Sequence, residues 1–150
     1  MSDITTIQDA IEMIRKISDL CGVSARGNSM SIQIERELEL VKDKFSGSVL
    51  YLIWKNPWMA AGKSTFIDSM LCYLGFDNVI TADRYPEIAD EQIIDSDSDY
   101  VFFSSEPYPF KDKDLQQDWP SKNIIVDGEM FSWYGTRLLK AVDYFRSIII

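Results

Sequence analysis

The sequence predicts an α/β fold: three layers, with a mostly parallel central sheet of about four strands and helices on both faces, preceded by two helices. Two observations carry this. The first is a run of strand-like and helix-like segments that alternate from Ser48 to the end of the chain. The second is that the strand-like segments, such as "VLYLIW" and "YVFFSS", are continuously apolar rather than alternating. That pattern suits strands covered on both faces, as in a parallel sheet with right-handed crossovers.

The elements follow in order. Ile7, Ala10, Ile11, Ile14, Ile17 and Cys21 recur at three- and four-residue steps and predict a first helix, with Thr5 and Gln8 as a capping box. Gly22 and Gly27 punctuate "CGVSARGN". A second helix is predicted from about Ser29 to Phe45, with Ile34, Leu38, Val41 and Phe45 as its apolar stripe. "VLYLIW" is the first strand. "STFIDSMLCYLG" is a helix closed by Gly75. "NVI" is a short strand, "DRYPEIADEQIIDS" a turn and short helix, and "YVFFSS" a third strand. "PFKDKDLQQDW" is a loop with some helical character that stops at Pro120. "NIIVD" is the fourth strand and "YGTRLLKAVDYFRS" the last helix.

At 150 residues the chain reads as a single core-forming unit, with 46% apolar residues. Its 24 acids and 15 bases give a net charge of −9, which argues against a nucleic-acid partner. No apolar run approaches the ~20 residues that cross a bilayer. "MSDITTIQDA" lacks the basic start and apolar core of a signal peptide, which at face value reads as cytoplasmic. Cys21 and Cys72 read as two free, buried thiols, a disulfide between them being the other reading. There is no histidine, so the commonest general base and transition-metal ligand is missing, and no protein-ligated metal site is expected.

"WKNPWMAAGKST" invites comparison with the phosphate-binding loop G-x-x-x-x-G-K-[ST]. Gly62, Lys63 and Ser64 match, but Pro57 stands where the first glycine belongs. Proline lacks the N–H and the conformational freedom that such a cradle needs. Trp58 and Met59 add bulk. Asp127, ending "NIIVD", could stand for the acid of a nucleotide site, but strand ends in any α/β sheet offer such residues. A helix N-terminus at Ser64 and Thr65 can still attract an anion, with Lys63 as a weak contact. "DSDSDY", residues 95–100, lacks the turn glycine of a calcium loop and reads as a solvated turn.

Ligands in open parallel sheets bind beyond the carboxyl ends of the strands. Those ends carry Trp54, Trp58 and Met59; Arg84 and Tyr85; Glu106, Tyr108 and Phe110; and Glu129, Met130, Phe131, Trp133 and Tyr134. Loops this aromatic are either buried or meet something flat and apolar. No nucleophile–base pair accompanies them, which favours binding over catalysis.

At these loops the sequence resembles a known family. "YLIWKNPWMAAGKSTFIDSMLCYLGFDNV", "DRYPEI", "SSEPYPF" and "VDGEMFSWYGTRLL" look like the C-terminal lobe of substrate-binding proteins of ABC importers. The class is the one whose lobes are joined by a long helical backbone, and which carries iron–siderophore chelates, haem or cobalamin. There a strand leads into N-P-x-x-x-x-G-K, here Asn56, Pro57, Gly62 and Lys63. The resemblance makes residues 1–46 the connector with the inter-lobe backbone helix, and residues 47–150 the C-terminal lobe. It implies a fragment without its N-terminal lobe, so that the missing leader says nothing of the parent, which would be periplasmic or membrane-anchored outside the cell membrane. It implies capture without catalysis and without a cofactor. The ligand, a metal chelate or corrinoid, would meet Trp58, Met59, Arg84, Tyr85, Glu106, Tyr108, Met130, Phe131 and Trp133. Glu106 and Glu129 would face the ABC permease, and a lone lobe would tend to self-associate. A P-loop-like nucleotide enzyme and a protein-interaction module using the aromatic sheet edge are the rival readings.

Overall fold

Strand β1 (Ser48–Trp54) occupies the middle of the sheet, and its residues Val49 to Ile53 are all buried. The computed structural model describes residues 4–116 and 118–148. Around β1 the chain runs α1 (Ile7–Leu20), α2 (Ser24–Leu38), β1, β2 (Trp58–Ala60), α3 (Phe66–Leu74), β3 (Asp77–Asn78), β4 (Glu87–Ile88), α4 (Asp90–Ile94) and β5 (Tyr100–Ser104). A 3-10 turn (Asp112–Asp114), β6 (Lys122–Val126), α5 (Gly128–Ser132) and α6 (Arg137–Ser147) complete it. The sheet order is β4-β2-β1-β5-β6, with β3 beside the first residues of β1.

The sheet is mixed and six-stranded, larger than the four strands expected. β1 pairs in parallel with β3 and β5, and β5 with β6, as the apolar runs imply. The two further strands are β2, from the "NPWMA" segment, and β4, from "DRYPEI". After Trp54 the chain reverses through Asn56 (φ 64°), and β2 returns antiparallel along β1 before pairing with β4. Asparagine tolerates that left-handed conformation better than most residues. A three-residue strand in a loop-like sequence carries too little pattern to be seen in advance.

β1 explains the apolar runs. Val49, Tyr51 and Ile53 enter one core with Phe102, Phe131 and Phe145, while Leu50 and Leu52 enter a second with Val101, Phe103 and Phe110. Helices α1, α2, α3, α5 and α6 cover the first face. The second face is covered by Ile93 of α4 and by Phe110, Leu115 and Trp119 from the segment between β5 and β6.

The leading helices differ from expectation in detail. The capping box of α1 is Thr6 with Asp9: the Thr6 hydroxyl accepts the Asp9 N–H (3.0 Å) and the Asp9 carboxylate accepts the Thr6 N–H (2.9 Å). A charged acceptor outcompetes the amide of Gln8 for that place. α2 begins at Ser24, before the expected Ser29, and ends at Leu38, before Phe45. Gly22 (φ 70°) makes the turn, whereas Gly27 lies inside the helix. There it permits close approach to α1, since a Cβ at Gly27 would stand 1.9 Å from Ser18 Oγ. The early end follows from α3, whose carbonyls at Tyr73 and Leu74 accept the N–H groups of Asp43 and Phe45. Cys21 and Cys72 are free, as read, but exposed rather than buried. Cys21 is the residue just past α1, and Cys72 sits on the outer face of α3, whose inner face is Phe66, Ile67, Met70, Leu71 and Leu74. Among the described residues no helix is long and apolar enough to cross a membrane.

The α1–α2 contact is testable. Gly27→Ala is expected to cost about 1–3 kcal/mol in urea unfolding, the usual cost of overpacking. Ser18→Gly removes the opposing atoms, so the double variant should lose clearly less than the sum of the two single changes.

Candidate functional site

The backbone donors leading into the Gly62–Thr65 segment are already taken. The N–H of Ala61 donates to Tyr51 O, that of Gly62 to Arg84 O and that of Lys63 to Ala82 O, each at 2.8 Å. Gly62 is required by this strand-like approach, because a Cβ there would lie 2.0 Å from Ala82 O. Lys63 Nζ is bound to Asp68 Oδ1 (2.9 Å), which raises the lysine pKa through that hydrogen bond. Asn78 Nδ2 donates to the same oxygen (2.8 Å). Ser64 Oγ donates to Asp83 (2.8 Å). Thr65 is the cap of α3: its hydroxyl accepts the Asp68 N–H (3.1 Å) and donates to Gly62 O (2.7 Å). Two carboxylates stand where a phosphate-binding loop needs positive potential.

Five of the expected ligand contacts are taken up by packing. Trp58 turns onto the second face, stacked on Phe110 (6.1 Å) and edge-on to Trp119 (5.6 Å), with its Nε1–H on Asp90. The cause is the reversal into β2. Phe131 is fully enclosed between Tyr51, Phe102 and Phe145, because α5 winds it inward after the Asp127 cap. It presents no surface to a ligand. Met59 and Met130 are half-buried against the same core. Tyr108 is half-buried on Phe110 (4.6 Å) and Trp54 (5.6 Å).

Three of the remaining four converge. Tyr85, Glu106 and Trp133 line one hollow of about 340 Å³, together with Ile53, Ile67, Pro107 and Ser132. It lies at the carboxyl ends of β1 and β5. Tyr85 is 42% and Trp133 46% exposed. Trp133 and Ser132 extend into a second depression with Tyr134. Arg84 (φ 64°) is exposed next to Tyr85 but does not line the hollow. Pro107 and Ser132 lie within the strand-end segments the sequence points to, though not among the expected ligand contacts, and Ile53 directly precedes Trp54. Ile67, on α3, gives no such signal. A larger hollow of about 540 Å³, between residues 79–82 and α4, has no aromatic ring in its described lining.

The loop bearing Glu106 is anchored from below. Tyr51 donates to Ser104 Oγ (3.2 Å), and Ser104 Oγ donates to the Glu106 carbonyl. Burial pushes the Tyr51 phenol far above its ordinary range, with the Ser104 bond only partly opposing, so it stays a neutral donor. Gly128 closes over this point, where a Cβ would lie 2.3 Å from Ser104 Oγ. Its N–H donates to Ser105 Oγ (3.0 Å). Glu129 forms an ion pair with Arg137, whose guanidinium lies 4.9 Å from the centre of the Trp133 ring. Among the described residues no three Cys, Asp or Glu side chains gather into a metal-binding group.

Two outcomes separate packing from surface roles. Phe131→Ala should lower the unfolding free energy by about 3–5 kcal/mol, whereas Trp133→Ala should cost less than about 1 kcal/mol. Titration with Mg-ATP should leave the tryptophan fluorescence unchanged, as the N–H groups of Ala61 to Lys63 are occupied and Lys63 Nζ is paired with Asp68.

No family model and no curated protein matches the sequence. Solved structures do. A possible iron-binding periplasmic solute-binding protein from Staphylococcus epidermidis superimposes with a TM-score of 0.81 at 16% identity, covering 95% of this chain and 62% of that one. The periplasmic haem-binding protein RhuT from Roseiflexus sp. RS-1 gives 0.74 at 19% identity, with 94% and 62% covered. The periplasmic vitamin B12-binding protein BtuF of Vibrio cholerae gives 0.67 at 12% identity, with 94% and 60% covered. The chain therefore has the fold of these periplasmic binding proteins over about 60% of their length, which corresponds to one lobe.

Proposed function

We propose that this chain is the C-terminal lobe of a substrate-binding protein that delivers a metal chelate to an ABC importer, outside the cell membrane. The observation that carries the reading is the half-exposed aromatic hollow at the strand ends. It stands on a fold whose solved relatives are named for binding haem, vitamin B12 and iron. Tyr85 and Trp133 would meet the flat ligand with their rings, each contact worth about 0.5–1.5 kcal/mol beyond buried area. Ile53 and Pro107 form the apolar floor, and Glu106 is the polar anchor. Trp58, Met59, Tyr108 and Met130 support this surface rather than touch the ligand. Arg84 and Glu129 flank it. Capture without covalent chemistry fits a hollow with no nucleophile–base pair. A nucleotide enzyme is disfavoured by the occupied donors of Ala61 to Lys63. The other lobe, the permease and a second copy of the lone lobe are the partners this reading assigns, with Glu106 the more available of the two docking acids, since Glu129 is paired with Arg137.

Haemin, cyanocobalamin and a ferric hydroxamate should each be titrated against tryptophan fluorescence. At least one should quench it, and Trp133→Phe should remove a large part of that quenching. A panel with no quenching at all would count against the proposal.

A further inference from the structure

We infer that Glu106 makes the hollow a charge filter that favours metal complexes without net negative charge over anionic ones; this rests on the chelate-binding reading above. Among the described lining residues Glu106 carries the only charged side chain, the others being Ile53, Ile67, Tyr85, Pro107, Ser132 and Trp133. Within the described residues no cation pairs with its carboxylate. Three basic groups near the strand ends are committed to other acids. Arg137 pairs with Glu129, Lys55 with Asp114 (3.1 Å) and Lys63 with Asp68 (2.9 Å). Arg84 stands outside the lining. The chain's net charge of −9 adds potential of the same sign.

The backbone that carries the charge is also fixed in place. Ser104 Oγ holds the Glu106 carbonyl and faces its N–H at 3.4 Å, and the Tyr51 phenol holds Ser104 in turn. Gly128 packs against both backbone atoms of Glu106, at 3.0 Å from where its Cβ would be. Glu106 therefore projects from an anchored backbone. Glu106 is exposed, so water screens part of its field, but along the apolar and aromatic walls of the hollow the screening is weaker than in bulk water. An anionic group brought against Trp133 and Tyr85 meets that carboxylate across these walls. An uncharged or cationic complex does not pay this repulsion, and a cation gains from the carboxylate and from the ring faces.

The test uses the 150-residue chain and two ligand pairs that differ chiefly in charge, with Glu106→Gln separating charge from the added methyl groups of the ester. One pair is haemin and haemin dimethyl ester, with propionates free or masked. The other is cyanocobalamin and its monocarboxylic acid, with one amide hydrolysed. Tryptophan quenching reads the affinity. In each pair the ester or amide form is expected to bind about tenfold tighter, equivalent to about 1.4 kcal/mol. Glu106→Gln should collapse both ratios to within about twofold, while Arg84→Ala leaves them in place. Equal or tighter binding of the anionic members overturns the filter while leaving chelate binding intact. So does a ratio that survives Glu106→Gln, or one that follows Arg84 instead. If none of the four ligands quenches, the chelate-binding reading fails and the filter fails with it.

Discussion

The pairing of residues 60–63 with residues 82–86 is the constraint on which the rest of this lobe depends. Ala60 N–H donates to Pro86 O, Gly62 N–H to Arg84 O, Lys63 N–H to Ala82 O, and Arg84 N–H back to Lys63 O. Such bonds are each worth only about 0.5–1.5 kcal/mol net, but buried donors left without them would cost more. Ala60 and Ala61 are fully buried, so the pairing is not optional. It closes the β1–β2 reversal, delivers Thr65 to the start of α3, and sets Tyr85 at the mouth of the hollow. Gly62 is the residue that lets the two backbones meet. The same four residues that suggest a nucleotide site are thus structural, and they hold the segment that carries Tyr85.

Core and cleft compete for the same residue types. The strand ends are rich in aromatic side chains, and the fold buries those that its local geometry turns inward. Phe131 goes in because α5 begins at Gly128, and Trp58 because β2 runs antiparallel. Once enclosed, each is held by several rings: Phe131 by Tyr51, Phe102, Tyr144 and Phe145, and Trp58 by Phe103, Phe110 and Trp119. Aromatic pairs of this kind add about 0.5–1.5 kcal/mol each beyond burial. The cleft side chains that remain are therefore mounted on a stiff platform.

How much of this was readable from sequence follows from element length. β1, β5 and β6 are long enough to show an apolar run, α3 and α6 a helical period, and each lies where its pattern places it. α5, β2 and β4 span five, three and two residues, too few for any period, and they are what decides which aromatic residues face outward. Gly27 shows the same limit from another side. In sequence a glycine reads as a break, and only the proximity of Ser18 reveals it as a helix-packing contact. The strand-end rule did find Tyr85, Glu106 and Trp133. It could not tell them from Phe131 or Trp58, because that distinction is made by backbone direction over two or three residues.

That sorting gives the exposed rings their meaning. A chain able to bury Tyr51, Phe102, Phe103, Phe131 and Phe145 completely has no difficulty enclosing aromatic side chains. Yet Trp54, Tyr85, Trp133 and Tyr134 remain 40–46% exposed, all in segments that follow strands or lie beside their carboxyl ends. Scattered single apolar residues on a surface need no explanation, but several large rings gathered at one end of a sheet do. Trp133 is moreover held by Arg137, and Arg137 by Glu129, so its exposure is an arranged position. Folding alone does not call for that arrangement. The flat, largely apolar ligand proposed above would.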